Sequence, residues 1–99
     1  MTKSILQSRK ECFVTRREYG LHKHHIYGGP NRRISEQNGF YIYLVPELHN
    51  MSDEGIHFDK AFDLRIKRLC QAEFEKTHSR AEFMALIGRN YLNEDKNED

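Results

Sequence analysis

The chain lacks any run of 18 consecutive apolar residues, the length at which a membrane-spanning helix becomes a candidate. Its N-terminal residues, MTKSILQSRK, lack the apolar stretch of a secretory signal peptide. Cysteine is scarce as well, since Cys12 and Cys70 are the only two and their sequence contexts are unrelated. Such a pair does not suggest the disulfide framework of a small secreted domain. These absences predict a cytoplasmic protein that has no membrane partner.

A chain of 99 residues is long enough for one compact domain and too short for a second independent core. Its composition, 37% hydrophobic and 31% charged, predicts a soluble, globular protein with a core of limited size. Such a small domain is stabilised appreciably when it binds a metal ion. We therefore predict a single domain over residues 1–92, followed by an acidic disordered tail, NEDKNED, over residues 93–99.

Charge is unevenly distributed, although the formal net charge is only +1. Residues 1–33 carry eight basic and two acidic side chains, residues 34–92 seven basic and nine acidic ones, and the tail four acids and one lysine. A basic N-terminal third is typical of a surface that contacts phosphates. An ordinary solvated face is the alternative interpretation.

The first half of the chain carries strand signals. Residues 21–27 and residues 40–45, with the aromatic and β-branched sequence FYIYLV, predict two strands, and Pro46 ends the second. Residues 11–15 could add a short third strand. The breaker sequence GGPN opens a predicted polar loop over residues 28–39.

The second half carries helix signals. From about Phe58 apolar residues recur with a helical period, at Phe62, Ile66, Leu69, Cys70 and Phe74. The sequence SRAE at residues 79–82 has the form of a capping box and predicts the start of a second helix. The predicted class is α+β, with a small hairpin-plus-helix core and an additional C-terminal helix. The apolar sides of the helices could also mediate a homodimer.

Histidine is unusually concentrated before the first predicted helix. Five of the six histidines lie there, at His22, His24, His25, His49 and His57. A lone histidine is most often a surface residue or a hydrogen-bonded core residue. Five histidines within 36 positions, including an adjacent pair, favour a functional role over this ordinary one. Neutral imidazole is a common ligand of zinc and similar ions and the natural base near pH 7. The sequence therefore predicts at least one bound metal ion.

The order of these residues resembles a known family. His24-His25-Ile26, a glycine-containing loop, a hydrophobic strand and His49 just after Pro46 are similar to the motif of HNH endonucleases, of the small phage or bacterial type. The resemblance covers about residues 12–70, and HHI and LVPELHN are its most specific parts. It implies a ββα-metal fold that holds one divalent ion and hydrolyses phosphodiester bonds of nucleic acid, DNA before RNA. By position it implies that His24 and His49 are metal ligands and that His25 is the general base.

The third ligand has two candidates. In the family it follows the second ligand by a few residues, at the start of the helix. Asp53 lies four residues beyond His49, whereas His57 lies eight beyond and directly precedes the predicted helix. We prefer His57, because a loop can displace a ligand in sequence without displacing it in space. Asp53 is the alternative, since carboxylates suit magnesium and manganese. Zinc, magnesium, manganese and nickel all remain candidates for the ion.

Two positions depart from the family pattern. Phe40 stands where the family commonly has the asparagine that tethers the hairpin, and Asn38 and Asn50 are the candidates to replace it. Only Cys12 remains of the paired CxxC motifs that bind a structural zinc in many relatives. We therefore expect no separate structural zinc.

Three basic residues, Lys23, Arg32 and Arg33, are placed to hold the nucleic-acid backbone, a contact that adds affinity without sequence information. His22 could orient a ligand, contact a phosphate or be a plain surface residue. The predicted function is that of a metal-dependent endonuclease. One alternative is a metal-stabilised HNH-like module that binds nucleic acid without cutting it. Another is an interaction protein, phage-encoded, that uses the same scaffold to bind a protein partner.

Overall fold

The computed structural model describes residues 3–50, 55–57 and 59–92. Its elements in chain order are β1 (His22–His25), a 3-10 turn (Gly29–Asn31), α1 (Arg32–Asn38), β2 (Tyr41–Leu44), α2 (Pro46–His49), α3 (Lys60–Phe74) and α4 (Arg80–Ile87). The predicted α+β class, with a hairpin followed by helices, is confirmed. The alternative ligand Asp53, Phe58 and the acidic tail lie outside the described residues, and the helix predicted from about Phe58 begins at Lys60.

Strands β1 and β2 pair antiparallel, with His24 opposite Ile42 and His25 opposite Tyr41. This confirms the predicted hairpin, although both strands are shorter than the sequence suggested. Strand β1 stops early because the backbone of Tyr27 bonds to the hydroxyl of Ser35 instead of continuing the ladder. The suggested third strand is reduced to a single parallel bridge between Cys12 and Tyr43.

The predicted polar loop over residues 28–39 is wrong in its main part, since it contains helix α1. The hydrophobic period gave no sign of this helix, because Ile34 is the only large apolar residue in its seven positions. Gly39 ends it in the left-handed region at φ 76, as a glycine after a helix commonly does. A Cβ at Gly39 would collide with the carbonyl oxygen of Lys3, so the N-terminal segment also requires glycine here.

Both predicted helices are confirmed. Asp59 caps α3 by accepting a hydrogen bond from the amide of Phe62 at 3.0 Å. At α4 the capping box forms as predicted, because Ser79 and Glu82 each accept from the other's amide, at 3.0 and 2.7 Å. One position on α3 is wrong: Leu69, assigned to the apolar side, is 44% exposed. No described helix has both the length and the apolar character needed to cross a membrane.

The core lies between the hairpin and the helices α3 and α4. Phe40 and Phe83 are fully buried, and the ring of Phe40 contacts Tyr27 and Phe74 with centroids 5.5 and 5.4 Å apart. The hydroxyl of Tyr27 donates to the carbonyl of Lys67 at 2.6 Å, which ties the end of the hairpin to α3. This packing holds one face of β1 against the start of α3, where the histidines gather.

Candidate metal centre

Three histidines from separate elements meet at one point. His24 lies in β1, His49 ends α2, and His57 precedes α3. Each offers one ring nitrogen, and these nitrogens all lie within 4.8 Å of one another. The centroid of the His24 ring lies 5.3 Å from that of the His49 ring and 5.2 Å from that of the His57 ring. The structure thus brings together the three residues that the sequence analysis proposed as ligands, in an arrangement that could hold one metal ion.

Local structure explains how His49 and His57 come to lie side by side. Pro46 begins α2, where its fixed φ and missing amide hydrogen are tolerated, and this short helix carries His49 at its end. The backbones of the two histidines are in direct contact, since the amide of His57 donates to the carbonyl of His49 at 3.2 Å. Gly55 permits this close approach, because a Cβ there would lie 2.9 Å from the same carbonyl oxygen. His57 is exposed, so the cluster is open to solvent on the side of His57.

His24 is the buried member of the cluster, with only 4% of its surface exposed. Burial, together with the neighbouring imidazoles of His49 and His57, lowers the pKa of His24 to about 3. Burial and the charges of His57 and His22 lower the pKa of His49 to about 4. Both rings are therefore neutral at pH 7, the form in which imidazole binds metal.

The Nε2 atom of His24 is buried and has no hydrogen-bond partner within the described part of the chain. An unsatisfied buried polar atom costs about 1–3 kcal/mol, so its position calls for a partner. A cation between the three rings would supply one, and the residues present fit such a group. An all-imidazole donor set suits zinc or nickel better than magnesium, which prefers oxygen ligands.

His22 adds a fourth ring to the cluster. It lies on the same face of β1 as His24, and its Nδ1 atom lies 3.1 Å from Nδ1 of His49. The other ring nitrogen of His49, Nε2, lies 3.0 Å from Nε2 of His57. His49 therefore directs Nε2 into the triad while its Nδ1 contacts His22. Of the roles considered for His22, orienting a ligand is the one that this contact supports.

His25 lies on the opposite face of β1 from His24. Its Nε2 atom lies 2.6 Å from Oε1 of Glu36, and Oε2 of the same carboxylate lies 3.2 Å from Nζ of Lys23. These contacts, the hydrogen bond to His25 first, hold the pKa of Glu36 below its usual value. Glu36 is not recognisable from the sequence, because the segment around it is predicted as a loop and because a lone glutamate carries no motif signal.

A cleft of about 320 Å³ connects the cluster with His25. Among its lining residues are His24, His25, His57, Lys60, Asp63 and Lys67. Lys60 and Lys67 lie seven residues apart on α3 and therefore on one side of that helix. Lys67 forms an ion pair with Asp63 at 2.7 Å, whereas Lys60 is exposed. Neither lysine was singled out in the sequence, because their place beside the histidines depends on how α3 packs.

The three predicted nucleic-acid contacts occupy different environments. Arg32 and Arg33 are exposed at the start of α1, on a second cavity that His25 and Glu36 also line. Lys23 is engaged within the protein, since it pairs with Glu36 and lies 4.2 Å from the centroid of the Tyr41 ring. Of these three residues, Arg32 and Arg33 can therefore bind a phosphate without breaking an ion pair or a cation–π contact like those of Lys23.

HNH endonucleases, which the sequence resembles, commonly have a tethering asparagine where this chain has Phe40. Phe40 belongs to the aromatic core, and the amide of Asn38 donates to Ile34 within α1 at 2.8 Å. The buried hydroxyl of Ser35 instead donates to the carbonyl of Tyr27 at 2.7 Å and accepts from its amide at 3.2 Å. Ser35 thus ties the chain just after His25 to α1, which the sequence did not reveal.

Comparisons with models of protein families, with curated proteins and with solved structures find no match to this chain. Its function is therefore inferred from the residues and their geometry. The histidine cluster, the second face of β1 with His25, and the cleft between them are the features that carry this inference.

Proposed function

We propose that the protein is a metal-dependent endonuclease of the HNH type, which hydrolyses phosphodiester bonds of nucleic acid, DNA in the first place. The observation that carries this proposal is the triad of His24, His49 and His57, with His25 lining the cleft that His24 and His57 also line. A cation site and a neighbouring base are the two components that a one-metal hydrolysis of a phosphodiester requires. In this proposal His24, His49 and His57 each take a direct part in hydrolysis, and His22 does not.

His24, His49 and His57 would hold the ion. When bound, the ion would supply positive charge to the phosphate oxygens, on which negative charge develops during hydrolysis. The buried and unpartnered Nε2 of His24 supports this assignment, since the triad offers it no hydrogen bond. The depressed pKa values of His24 and His49 support it too, because protons do not compete for these rings at neutral pH.

His25 would act as the general base. A neutral imidazole removes a proton from a water molecule, and the resulting hydroxide attacks phosphorus. The bond between phosphorus and the leaving oxygen breaks, and that oxygen takes up a proton from solvent. The side chain of His25 is 13% exposed, and His25 is among the residues that line the cleft.

The substrate would lie along the basic rim of the cleft. Lys60 and Lys67 border the cleft on the side of α3, and Arg32 and Arg33 lie on the second cavity, which also has His25 in its lining. Such side chains hold the phosphate backbone and set the register of the strand without reading its sequence. We therefore propose nucleic acid as the partner and expect little sequence preference from these contacts.

Plasmid cleavage tests the proposal directly. The purified protein is incubated with supercoiled DNA in zinc, nickel, magnesium or manganese, with and without excess chelator. We expect nicking that depends on the metal and is lost in His49→Ala. His78→Ala is the matched control, because His78 is an exposed histidine that stacks on Phe74 at 4.2 Å, apart from the cluster. Cleavage that persists in chelator, or in His49→Ala at full rate, contradicts the proposal.

A second function has one observation in its favour. Phe40, which is fully buried, stands where the family commonly has a tethering asparagine, so part of the catalytic pattern is replaced by core. A metal-stabilised module that binds nucleic acid or a protein without cutting would tolerate this replacement. Metal binding by the wild type without any cleavage, in all four metals, would favour this second function.

A further inference from the structure

Glu36 on α1 makes the shortest polar contact of the proposed base, 2.6 Å from its Oε1 to Nε2 of His25. We propose that Glu36 is the positioning residue of His25, whose carboxylate accepts a hydrogen bond from Nε2–H and so leaves Nδ1 as the nitrogen that takes the proton from water. This inference rests on the proposed nuclease function. It adds a role for a residue that is not a member of the metal cluster.

The direction of this hydrogen bond follows from chemistry. An ionised carboxylate only accepts hydrogen bonds, so a contact of 2.6 Å with a neutral imidazole requires the hydrogen to reside on Nε2. The lowered pKa of Glu36 agrees with an ionised carboxylate at neutral pH. Since a neutral imidazole carries one ring hydrogen, Nδ1 is then unprotonated. A base needs this unprotonated nitrogen, and the tautomer is fixed before substrate arrives.

The carboxylate is itself held in place from two sides. Nζ of Lys23 lies 3.2 and 3.3 Å from its two oxygens, and Lys23 is packed over the ring of Tyr41. Lys23 and His25 are two residues apart on β1, so both side chains leave the same face of the strand. The residue before Glu36, Ser35, is fully buried and bonded to the backbone of Tyr27. The position of Glu36 relative to β1 is therefore determined by contacts on both elements.

A simple surface ion pair is the competing explanation. Such pairs contribute little to stability and have no consequence for a neighbouring ring. Glu73 on α3 offers a matched control for this possibility. Its side chain is 39% exposed against 37% for Glu36, and it pairs with Lys76 at 3.0 Å without contacting a histidine. Removal of either glutamate breaks a lysine pair, but only the loss of Glu36 releases His25.

The experiment compares Glu36→Ala, Glu36→Gln and Glu73→Ala with the wild type. Two-bond ¹H–¹⁵N spectra of the zinc-loaded, ¹⁵N-histidine-labelled proteins report which nitrogen of His25 carries the hydrogen. We expect the Nε2–H tautomer in the wild type and a mixture in Glu36→Ala. Glu36→Gln keeps the wild-type tautomer, because the amide oxygen of glutamine still accepts from Nε2–H. Glu73→Ala leaves the spectrum of His25 unchanged.

Kinetics on plasmid DNA with the most active metal ion give the second readout. In Glu36→Ala we expect kcat to fall about 10-fold or more, short of the full loss of about 100- to 10,000-fold that removal of a general base causes. KM and metal content stay at the wild-type level, because neither phosphate contacts nor ligands change. Glu36→Gln retains more of kcat than Glu36→Ala. Where the alanine variant does not fold, Glu36→Leu, which keeps the apolar stem without an acceptor, replaces it.

The outcomes separate the two proposals. An active wild type whose kcat and His25 tautomer are both unchanged in Glu36→Ala shows a surface ion pair only and overturns the role of Glu36. A wild type that binds metal but cuts nothing overturns the nuclease, and the role of Glu36 with it. An active wild type with a lowered kcat and a mixed tautomer in Glu36→Ala, both recovered in Glu36→Gln, supports both.

Discussion

His24 and His25 are adjacent in the chain, yet their side chains lie on opposite faces of strand β1. His24 faces the rings of His49 and His57, and His25 faces the carboxylate of Glu36. This divergence follows from the geometry of a strand, in which successive side chains alternate. Because both residues line one cleft, our proposal assigns a metal ligand and a base to this pair.

Metal binding should stabilise the fold. The ion binds the folded chain in preference to the unfolded one, so at 100 times its Kd it adds about 2.7 kcal/mol to the free energy of unfolding. For a domain of this size this corresponds to roughly 10 °C or more in Tm. Calorimetry with zinc and then with excess chelator measures the shift, and His49→Ala should abolish it. Superimposable melting curves in zinc and in chelator would exclude the site.

Acid should destabilise the metal-free protein. The pKa values of His24 and His49, about 3 and about 4, lie below the value of about 6.5 in an unfolded chain. Between pH 6.5 and these values the unfolded chain binds protons that the folded chain does not, so stability falls as the pH decreases through this window. Each unit of pH costs at most about 1.4 kcal/mol for His24. Above about pH 6.5 these two histidines should cause no further change in the free energy of unfolding.

Urea titrations of the metal-free protein at pH 7.5 and pH 5 measure this dependence. In His24→Gln the loss of stability at pH 5 should be smaller, because one of the two depressed pKa values is gone. His78→Gln, which changes an exposed histidine, should retain the dependence of the wild type. A wild-type stability that is equal at both pH values contradicts the burial-induced shifts.

The roles within the histidine pair should separate in mutants. His25→Ala should lower cleavage about 100- to 10,000-fold, as expected for loss of a general base, while metal content and folding remain. His24→Ala and His49→Ala should lower metal occupancy first, and activity as a consequence. Metal stoichiometry and plasmid cleavage are measured on the same preparations. If His25→Ala loses the metal and His24→Ala keeps it, the assignment within the pair is reversed.

His22 should affect metal affinity without being a ligand. Its contact with Nδ1 of His49 orients that ring, and loss of such an outer partner typically costs about 10- to 100-fold in affinity or activity. Competition with a chromogenic zinc chelator should show this weakening in His22→Ala, with one ion still bound at saturation. His78→Ala serves again as the control. An affinity equal to that of the wild type would make His22 a plain surface residue.

Nucleic-acid binding should depend on salt through the basic rim. Each phosphate contact that is removed should reduce the slope of log K against log salt by about one. We expect this for Lys60→Ala and for Arg33→Ala, measured by fluorescence anisotropy in the presence of chelator so that no cleavage occurs. Lys76→Ala removes a lysine of α3 that pairs with Glu73 and should leave the slope unchanged. Identical slopes in all three variants would place the nucleic acid on another surface.

Several features were predictable from the sequence, because local interactions determine them. The aromatic and β-branched character of residues 40–45 specifies a strand, and the capping box of Ser79 and Glu82 specifies a helix start. The adjacent histidines in a strand determine that one ring faces each side. The resemblance to the HNH motif added the prediction that His24 and His49 are ligands of one ion, the position of His57 just before the helix made it the preferred third ligand, and the structure places the three together.

Other features were decided by the tertiary structure. Helix α1 carries almost no apolar period, and it forms where the buried Ser35 and Gly39 tie it to the hairpin and to the N-terminal segment. Glu36 reaches His25 only because that helix packs across β1, and Lys60 and Lys67 border the cleft only because α3 packs beneath it. Such contacts join residues far apart in the chain, and their formation depends on strand register and on helix packing. Neither composition nor periodicity within a short window contains that information, since both describe neighbours along the chain and not neighbours in space.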